Sequence, residues 1–163
     1  MISLGAQILS LEELCRQRSR LGRVVMTSGG YDPIHPGHIS CIQESRSFGD
    51  TVVVVVNGDH FLAQKKGVSF QSLPVRVSIV SALKGVDIVV PYETDKETSV
   101  IEPLTKICPD VFTKGGDRID VKTIPEWECC EKLGIEIKTG VGLDKQWSSS
   151  SFLKKWDTRA CGR

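Results

Sequence analysis

Short apolar runs alternate along the chain with stretches that carry hydrophobic residues at helical spacing. The most continuous run is TVVVVVN at residues 51–57, and its β-branched side chains point to both faces of a sheet. Such a run is typical of a central strand that is buried on both sides. The predicted strands span residues 23–27, 51–57, 86–90, 111–113 and 135–139.

Helical stretches fill the intervals between these strands. Ser10 with Glu13 forms a capping-box pattern at the start of a short amphipathic helix. A second helix has Pro74 at a plausible first position. Residues 64–73 (QKKGVSFQSL) are polar and weakly periodic, which predicts a mobile loop. The helix with Pro74 spans residues 74–83, and the other predicted helices span residues 37–48, 99–107, 125–133 and 148–156.

The alternation of strands and helices predicts the fold class. We expect an α/β fold with a Rossmann-like, doubly wound parallel sheet of about five strands and helices on both faces. The length of 163 residues suits one domain over residues 1–163 with a sizeable core.

Composition and charge exclude several classes of function. The net charge of +1 gives no global field that would favour nucleic acid. No apolar run reaches the ~18 residues of a membrane span, and the start of the chain lacks a basic and apolar leader, so we expect a cytoplasmic protein. The six cysteines form no CxxC pair, which favours reduced thiols over a zinc or redox site.

The segment with the most chemical information is TSGGYDPIHPGH at residues 27–38. It leaves a predicted buried strand, passes Gly29 and Gly30, and enters a helix near Gly37. Ligands of doubly wound sheets bind beyond the carboxyl ends of the strands. The two glycines allow a tight turn and a close approach of the backbone to phosphate. The following helix start offers free N–H groups and a positive dipole end to an anion.

His35 and His38 are three residues apart, which places both imidazoles on one side of the first helical turn. Beside an anion site, two imidazoles can donate hydrogen bonds to charge that develops during phosphoryl-type transfer. The alternatives are a capping and a packing histidine, or two zinc ligands. Neither alternative explains the glycine pair between a strand and a helix.

The sequence HPGH at residues 35–38 resembles the HxGH signature of the cytidylyltransferase-like nucleotidyltransferases. The resemblance covers nearly the whole chain and is nearest to the adenylyltransferases that make ADP-heptose from heptose 1-phosphate. The matching segments are the opening at 8–14, VVVVNGD at 53–59, PVR at 74–76, ALKGVD at 82–87, DVFTKGGD at 110–117 and SSS at 148–150.

The resemblance implies roles for individual residues. His35, His38 and Lys65 would be catalytic. Lys66, Asp59 and Arg76 would contact the acceptor substrate. The nucleotide would contact the glycine-rich loop, the motif after the fourth strand and the serine run, namely Ser28, Gly29, Gly30, Tyr31, Asp32, Gly37, Lys114, Gly115, Gly116, Asp117, Ser148, Ser149 and Ser150.

The same resemblance implies the reaction. The acceptor phosphate would attack the α-phosphorus in line, pyrophosphate would leave, and Mg²⁺ would arrive with the triphosphate. Leu143 and Asp144 stand where the glycerol-phosphate cytidylyltransferases carry arginine and threonine, which favours ATP over CTP. We expect a sugar 1-phosphate as acceptor, heptose 1-phosphate first, and no protein ligand for the metal.

Three alternatives stay open at this point. The first is CTP with a polyol or amino-alcohol phosphate such as glycerol 3-phosphate. The second is a nucleotide-binding module without turnover, and the third is a zinc or redox protein. Domains of this kind often pair, so a homodimer is a further expectation.

Overall fold

The computed structural model of the chain describes residues 5–96, 98–116 and 120–160. Within these residues the strands are β1 (Gln7–Ile8), β2 (Val24–Gly29), β3 (Thr51–Asn57), β4 (Ile88–Tyr92), β5 (Val111–Gly115) and β6 (Glu136–Val141). They form one sheet in the order β1-β4-β3-β2-β5-β6, and every neighbouring pair is parallel. The Rossmann-like α/β fold predicted from the sequence is confirmed.

The helices lie on both faces of this sheet. In the described part of the chain they are α1 (Leu11–Gln17), α2 (Pro36–Ser45), α3 (Asp59–Lys66), α4 (Leu73–Ser81), α5 (Ile101–Ile107), α6 (Trp127–Leu133) and α7 (Ser149–Ala160). Short 3₁₀ helices follow α1 at Arg18–Arg20 and α2 at Arg46–Phe48, and a third precedes α6 at Val121–Thr123.

The valine run of β3 divides the core into two clusters. Val52, Val54 and Val56 pack with side chains of α2 and α4, whereas Val53 and Val55 pack with α1, α5 and α6. All five are fully buried. Successive side chains of a strand point to opposite faces, and each buried valine contributes about 1.5–3 kcal/mol of transfer free energy. This one segment therefore holds helices on both sides of the sheet.

All five predicted strands occur, with ends displaced by at most two residues. The sheet gains a sixth strand, because the two-residue β1 pairs with β4 at Gln7↔Ile88 and Ile8↔Val89. A strand of two residues is too short to show a periodic pattern, so the sequence contained no signal for it.

The predicted loop at residues 64–73 is wrong in its first part. Lys65 and Lys66 lie in the last turn of α3, and the helix ends at Gly67, whose φ is 86°. Only Leu62 of α3 is buried, so the helix lacks the apolar stripe that usually identifies a helix in a sequence. The loop is confined to residues 67–72.

No helix among the described residues has the length and apolar character that crossing a bilayer requires.

The strand order places the functional edge of the sheet. From β2 the chain moves outward through β3 and β4, and it then returns to the other side of β2 for β5 and β6. A crevice forms where two such halves diverge, beyond the carboxyl ends of the strands. The loop that follows β2 therefore opens into the crevice between the halves.

The capping box at α1 gives a first prediction. The Ser10 hydroxyl accepts a hydrogen bond from the Glu13 backbone N–H at 3.2 Å, and the Glu13 carboxylate accepts one from the Ser10 N–H at 2.7 Å. We expect Ser10→Ala to lower the free energy of unfolding by about 1 kcal/mol in urea denaturation. The matched control is Ser78→Ala on the exposed face of α4, where alanine favours the helix and no loss is expected. Equal losses in both variants would show that the cap contributes nothing.

Candidate active site

A cavity of about 550 Å³ opens at the carboxyl end of β2. The starts of α2 and α7, the end of α3 and the end of β5 surround it. Most of the predicted site residues line this one cavity, although they come from four separate parts of the sequence. They are Ser28, Gly29, Gly30, Tyr31, His35, Gly37, His38, Lys65, Lys66, Lys114, Gly115, Gly116, Ser148, Ser149 and Ser150.

The two histidines form a stacked pair at the start of α2. His35 is the N-cap residue of the helix, and its Nδ1 accepts a hydrogen bond from the His38 backbone N–H at 3.4 Å. The ring centroids are 3.6 Å apart with 20° between the planes. Tyr31 contacts the His38 ring edge-on at 5.1 Å. The pair is thus positioned by a helix cap and by an aromatic neighbour.

Gly37, between the histidines, leaves little room for a side chain. A Cβ at this position would lie 3.1 Å from both Cε1 and Nδ1 of His35. A side chain there would require the His35 ring to shift by a few tenths of an ångström. Gly30 has a similar constraint, since a Cβ would lie 2.6 Å from Cδ2 of Leu62.

Both imidazoles are neutral at pH 7. Burial lowers the pKa of His38 to about 3, and the charges of His35 and Lys66 act in the same direction. Burial and the charge of Lys66 also lower the pKa of His35. Because Nδ1 of neutral His35 accepts a hydrogen bond, its proton lies on Nε2. Nδ1 of His38 is buried without a hydrogen-bond partner.

Two lysines at the end of α3 bring positive charge to the same cavity. Lys66 Nζ donates a hydrogen bond to the Asp32 carbonyl at 3.4 Å. Burial lowers the pKa of Lys66, Asp32 opposes this effect, and Lys65 and Arg76 add to it. Lys65 Nζ lies 5.6 Å from the centroid of the Phe61 ring. The ammonium groups of Lys65 and Lys66 on this wall can therefore both contact a bound anion.

The opposite wall comes from β5 and from the start of α7. Lys114 Nζ lies 3.4 Å from Ser28 Oγ and 4.7 Å from the centroid of the Phe112 ring. The Ser149 hydroxyl donates to the Pro33 carbonyl at 2.8 Å, which fixes the first turn of α7 against the loop after β2. Asp117, also predicted at this wall, lies outside the described residues.

Three predicted contacts to nucleotide or substrate are corrected by the structure. Arg76 is directed into the protein, because its side chain is 0% exposed and its guanidinium is bonded there. It donates to the carbonyls of Gly30, Asn57 and Gln71 and pairs with Asp59 Oδ1 at 2.6 Å. Neither Arg76 nor Asp59 lines the cavity.

Asp32 is also turned away from the cavity. Its two carboxylate oxygens accept hydrogen bonds from the backbone N–H groups of Phe70 and Gln71, each at 2.7 Å. The carboxylate is completely buried. Its observed role is to hold the loop at residues 67–72, because a buried carboxylate needs donors and the loop supplies two.

Several cavity residues had no prediction from the sequence. Trp147 and Gln146 directly precede the serine run, so their position in sequence was a usable signal. Phe61 belongs to the helix that the sequence pattern did not reveal. Glu126 is buried at the cavity wall, and nothing in its local sequence distinguishes it from a surface glutamate.

The chain is similar to a known family of proteins over most of its length. The family described as cytidylyltransferase-like matches residues 26–143. The chain belongs to this family. The match begins in β2, contains the histidine pair and both lysines, and ends just after β6. It is a nucleotidyltransferase-like domain.

The curated relatives are named bifunctional protein HldE. The chain is 36% identical over 121 residues to HldE of Methylococcus capsulatus and 40% identical over 116 residues to HldE of Nitrosococcus oceani. These matches cover 71% and 68% of the chain. The matched region spans only 24% of the length of either relative.

Two solved structures share the fold. The lipopolysaccharide core biosynthesis protein from Thermoplasma volcanium superposes with a TM-score of 0.58 at 29% identity, covering 72% of this chain and 93% of that one. Pantothenate synthetase from Thermus thermophilus superposes with a TM-score of 0.65 at 16% identity, covering 94% and 70%. The second likeness concerns the fold alone.

The buried Arg76 gives a second prediction. We expect Arg76→Met to lower the free energy of unfolding by about 3 kcal/mol or more, because three carbonyls and a carboxylate lose a charged donor. Arg76→Lys should fall between wild type and Arg76→Met, since one ammonium cannot reach all four oxygens. The control is Arg20→Met at an exposed position, with an expected change within about 0.5 kcal/mol. Similar losses at both positions in urea denaturation would contradict the role of Arg76.

The third prediction concerns pH. Unfolding releases His38 from its buried site, so its pKa returns from about 3 to the ordinary value of 6.5. Between these values the unfolded chain binds more protons, and the folded state loses stability as the pH falls. We expect His38→Gln to lose less unfolding free energy than wild type between about pH 7 and pH 5. Parallel losses in the two proteins would show that His38 does not contribute to the acid sensitivity.

Proposed function

We propose that the chain transfers AMP from ATP to a sugar 1-phosphate, with heptose 1-phosphate as the first candidate, and releases pyrophosphate. The observation that carries this proposal is the stacked pair of neutral histidines at the start of α2, inside a cavity that also receives Lys65 and Lys66. The resemblance to the ADP-heptose-forming adenylyltransferases and the relatives named HldE support the choice of nucleotide and acceptor.

The start of α2 would bind the phosphate that reacts. Its dipole end is positive, so it attracts an anion, and the Gly37 N–H lies in its first turn. Pro36 has no N–H, and the His38 N–H already donates to His35. His35 and His38 lie at this helix end. Being neutral, each ring can donate one hydrogen bond to an oxygen of the α-phosphate.

The reaction needs no covalent intermediate with the protein. An oxygen of the acceptor phosphate forms a bond to the α-phosphorus, while the bond from that phosphorus to the bridging oxygen breaks and its electron pair leaves with pyrophosphate. The charge on the phosphoryl oxygens shifts during this step, and fixed donors stabilise it best. We assign this role to the histidines, and charge neutralisation of the phosphates to Lys65 and Lys66.

The serine run would hold the far end of the triphosphate. The N–H groups of Ser149 and Ser150 lie in the first turn of α7, where helix N–H groups have no partner within the helix. The N–H of Ser151 instead donates to the carbonyl and the hydroxyl of Ser148, at 3.0 Å and 3.4 Å. Because the Ser149 hydroxyl is bonded to Pro33, we assign phosphate binding to the backbone here and to the hydroxyl of Ser150.

Mg²⁺ would enter with the nucleotide. Among the described residues, no group of three histidine, cysteine or acidic side chains could hold a metal ion. In the proposed mechanism the triphosphate and water would therefore supply the ligands of the ion.

The second candidate is the same transfer from CTP to a polyol phosphate such as glycerol 3-phosphate. The description of the family as cytidylyltransferase-like favours it. Leu143 lies on the cavity wall where that branch carries a charged residue, and this difference supports ATP.

The fourth prediction tests the function directly. We expect pyrophosphate release with ATP and heptose 1-phosphate in a screen of ATP and CTP against sugar 1-phosphates and glycerol 3-phosphate. His35→Ala and His38→Ala should each lower kcat by about 10²- to 10³-fold, because each removes a donor to the transition state. The control is His60→Ala, an exposed histidine of α3 that does not line the cavity.

Two outcomes would contradict parts of this proposal. Turnover with CTP alone, for every acceptor, would overturn the choice of ATP. Unchanged kcat in both histidine variants would overturn the catalytic roles, even if the nucleotide assignment held.

A further inference from the structure

Glu126 is the buried acidic group at the cavity that the proposed reaction does not use. Its side chain is 5% exposed, yet it lines the same cavity as the histidine pair. Its Oε2 atom is out of contact with solvent and has no hydrogen-bond partner. The ammonium of Lys114 lies 3.6 Å from this oxygen, which is close enough for an ion pair but too long for a hydrogen bond.

A buried carboxylate oxygen without a donor is unusual, because such groups are costly unless they are hydrogen-bonded. Lys114 offsets the charge of Glu126 but leaves its acceptor capacity unused. A carboxylate only accepts hydrogen bonds, so whatever completes the site must be a donor. The phosphates of a nucleotide are excluded as its partner, since they carry the same sign of charge.

The position of Glu126 indicates which part of a nucleotide it would meet. Lys114 Nζ lies between Glu126 and the Ser28 hydroxyl, which is 3.4 Å away at the end of β2. Ser28 leads into the loop that ends at the histidine pair. Glu126 therefore lies a short distance beyond the reacting phosphate, on the wall that Gly115 and Gly116 also form. Lys65 and Lys66 belong to a different wall, built by α3.

We infer that the Glu126 carboxylate accepts hydrogen bonds from the ribose hydroxyls of the bound nucleotide and thereby selects ribonucleotides over deoxyribonucleotides. This inference rests on the proposed nucleotidyl transfer. The two neighbouring hydroxyls of a ribose match the two oxygens of a carboxylate. Ribose is also the neutral, donor-bearing part of a nucleotide nearest to its α-phosphate. Lys114 is the positioning residue that orients the carboxylate.

The fifth prediction compares ATP with 2′-deoxy-ATP and 3′-deoxy-ATP as substrates. We expect the wild type to favour ATP over at least one analogue by about tenfold or more in kcat/KM, since the analogue leaves a buried charge without its donor. Glu126→Gln and Glu126→Ala should reduce that ratio to about twofold, mainly through a higher KM for ATP. The KM for the analogue that lacks the contacted ribose hydroxyl should not rise in these variants.

The matched control is Glu128→Gln, an exposed glutamate two residues further along in α6. It should keep the wild-type ratio. A wild type that uses all three nucleotides equally would overturn the inference, and so would Glu126 variants that keep the wild-type preference. If Glu126 had only a structural role, its substitution would lower the stability of the protein. It would also lower kcat/KM for all three nucleotides by the same factor, which would contradict the inference. A ratio that changes for deoxy analogues of the acceptor sugar instead would also overturn the inference, by assigning Glu126 to the acceptor.

The failure of this inference can be separated from failure of the proposed function. If the chain uses CTP, the same comparison is made with CTP and its deoxy analogues. If no triphosphate gives pyrophosphate with any acceptor, the proposed transfer is wrong. Calorimetric titration of ADP and 2′-deoxy-ADP into wild type and Glu126→Gln then still tests the ribose contact, because binding requires no turnover.

Discussion

The buried guanidinium of Arg76 joins the ends of two neighbouring strands, β2 and β3, to the loop before α4. Its donors end on the carbonyls of Gly30 after β2, Asn57 at the end of β3 and Gln71 in the loop before α4. Without the guanidinium these carbonyls would lose a charged donor, and the bond to the Asn57 carbonyl is fully buried. Asp32 adds two bonds from the loop after β2 to the loop at 67–72. This network fixes the loop after β2, which leads to the histidines, relative to the segment after α3, the helix that carries the two lysines.

The charges of the cavity follow from that arrangement. Two neutral imidazoles and several cations face one space, although the chain as a whole has a net charge of only +1. Burial and the charge of Lys66 lower the pKa of His38, and burial together with the charges of Lys65 and Arg76 lowers the pKa of Lys66. An arriving triphosphate would relieve this repulsion. Anion binding and the protonation state of the site are therefore coupled in the proposed mechanism.

The family membership and the geometry inform different parts of the conclusion. The cytidylyltransferase-like match identifies a nucleotidyltransferase-like domain, and it covers the histidine loop, α3 and β5. It does not distinguish ATP from CTP, nor one acceptor phosphate from another. We expect those choices to depend on side chains of the cavity wall such as Leu143, Trp147 and Glu126.

The sequence alone determined the features that depend on local pattern. Three such features were predicted: the valine run of β3, the capping box at Ser10 and the histidine motif. Each depends only on residues that are close together in the sequence. Two elements were not predicted because they have no clear local pattern. The strand β1 has only two residues, and α3 buries a single leucine.

Only the tertiary structure decided where the long polar side chains end. Arg76 and Asp59 were predicted at the substrate and instead bond to each other, Asp32 was predicted at the nucleotide and binds a loop, and Glu126 was not predicted to be at the site. The direction of such a side chain depends on which distant carbonyls, N–H groups and charges surround it. The order of strands in the sheet brings those partners together, and a local sequence pattern does not predict that order.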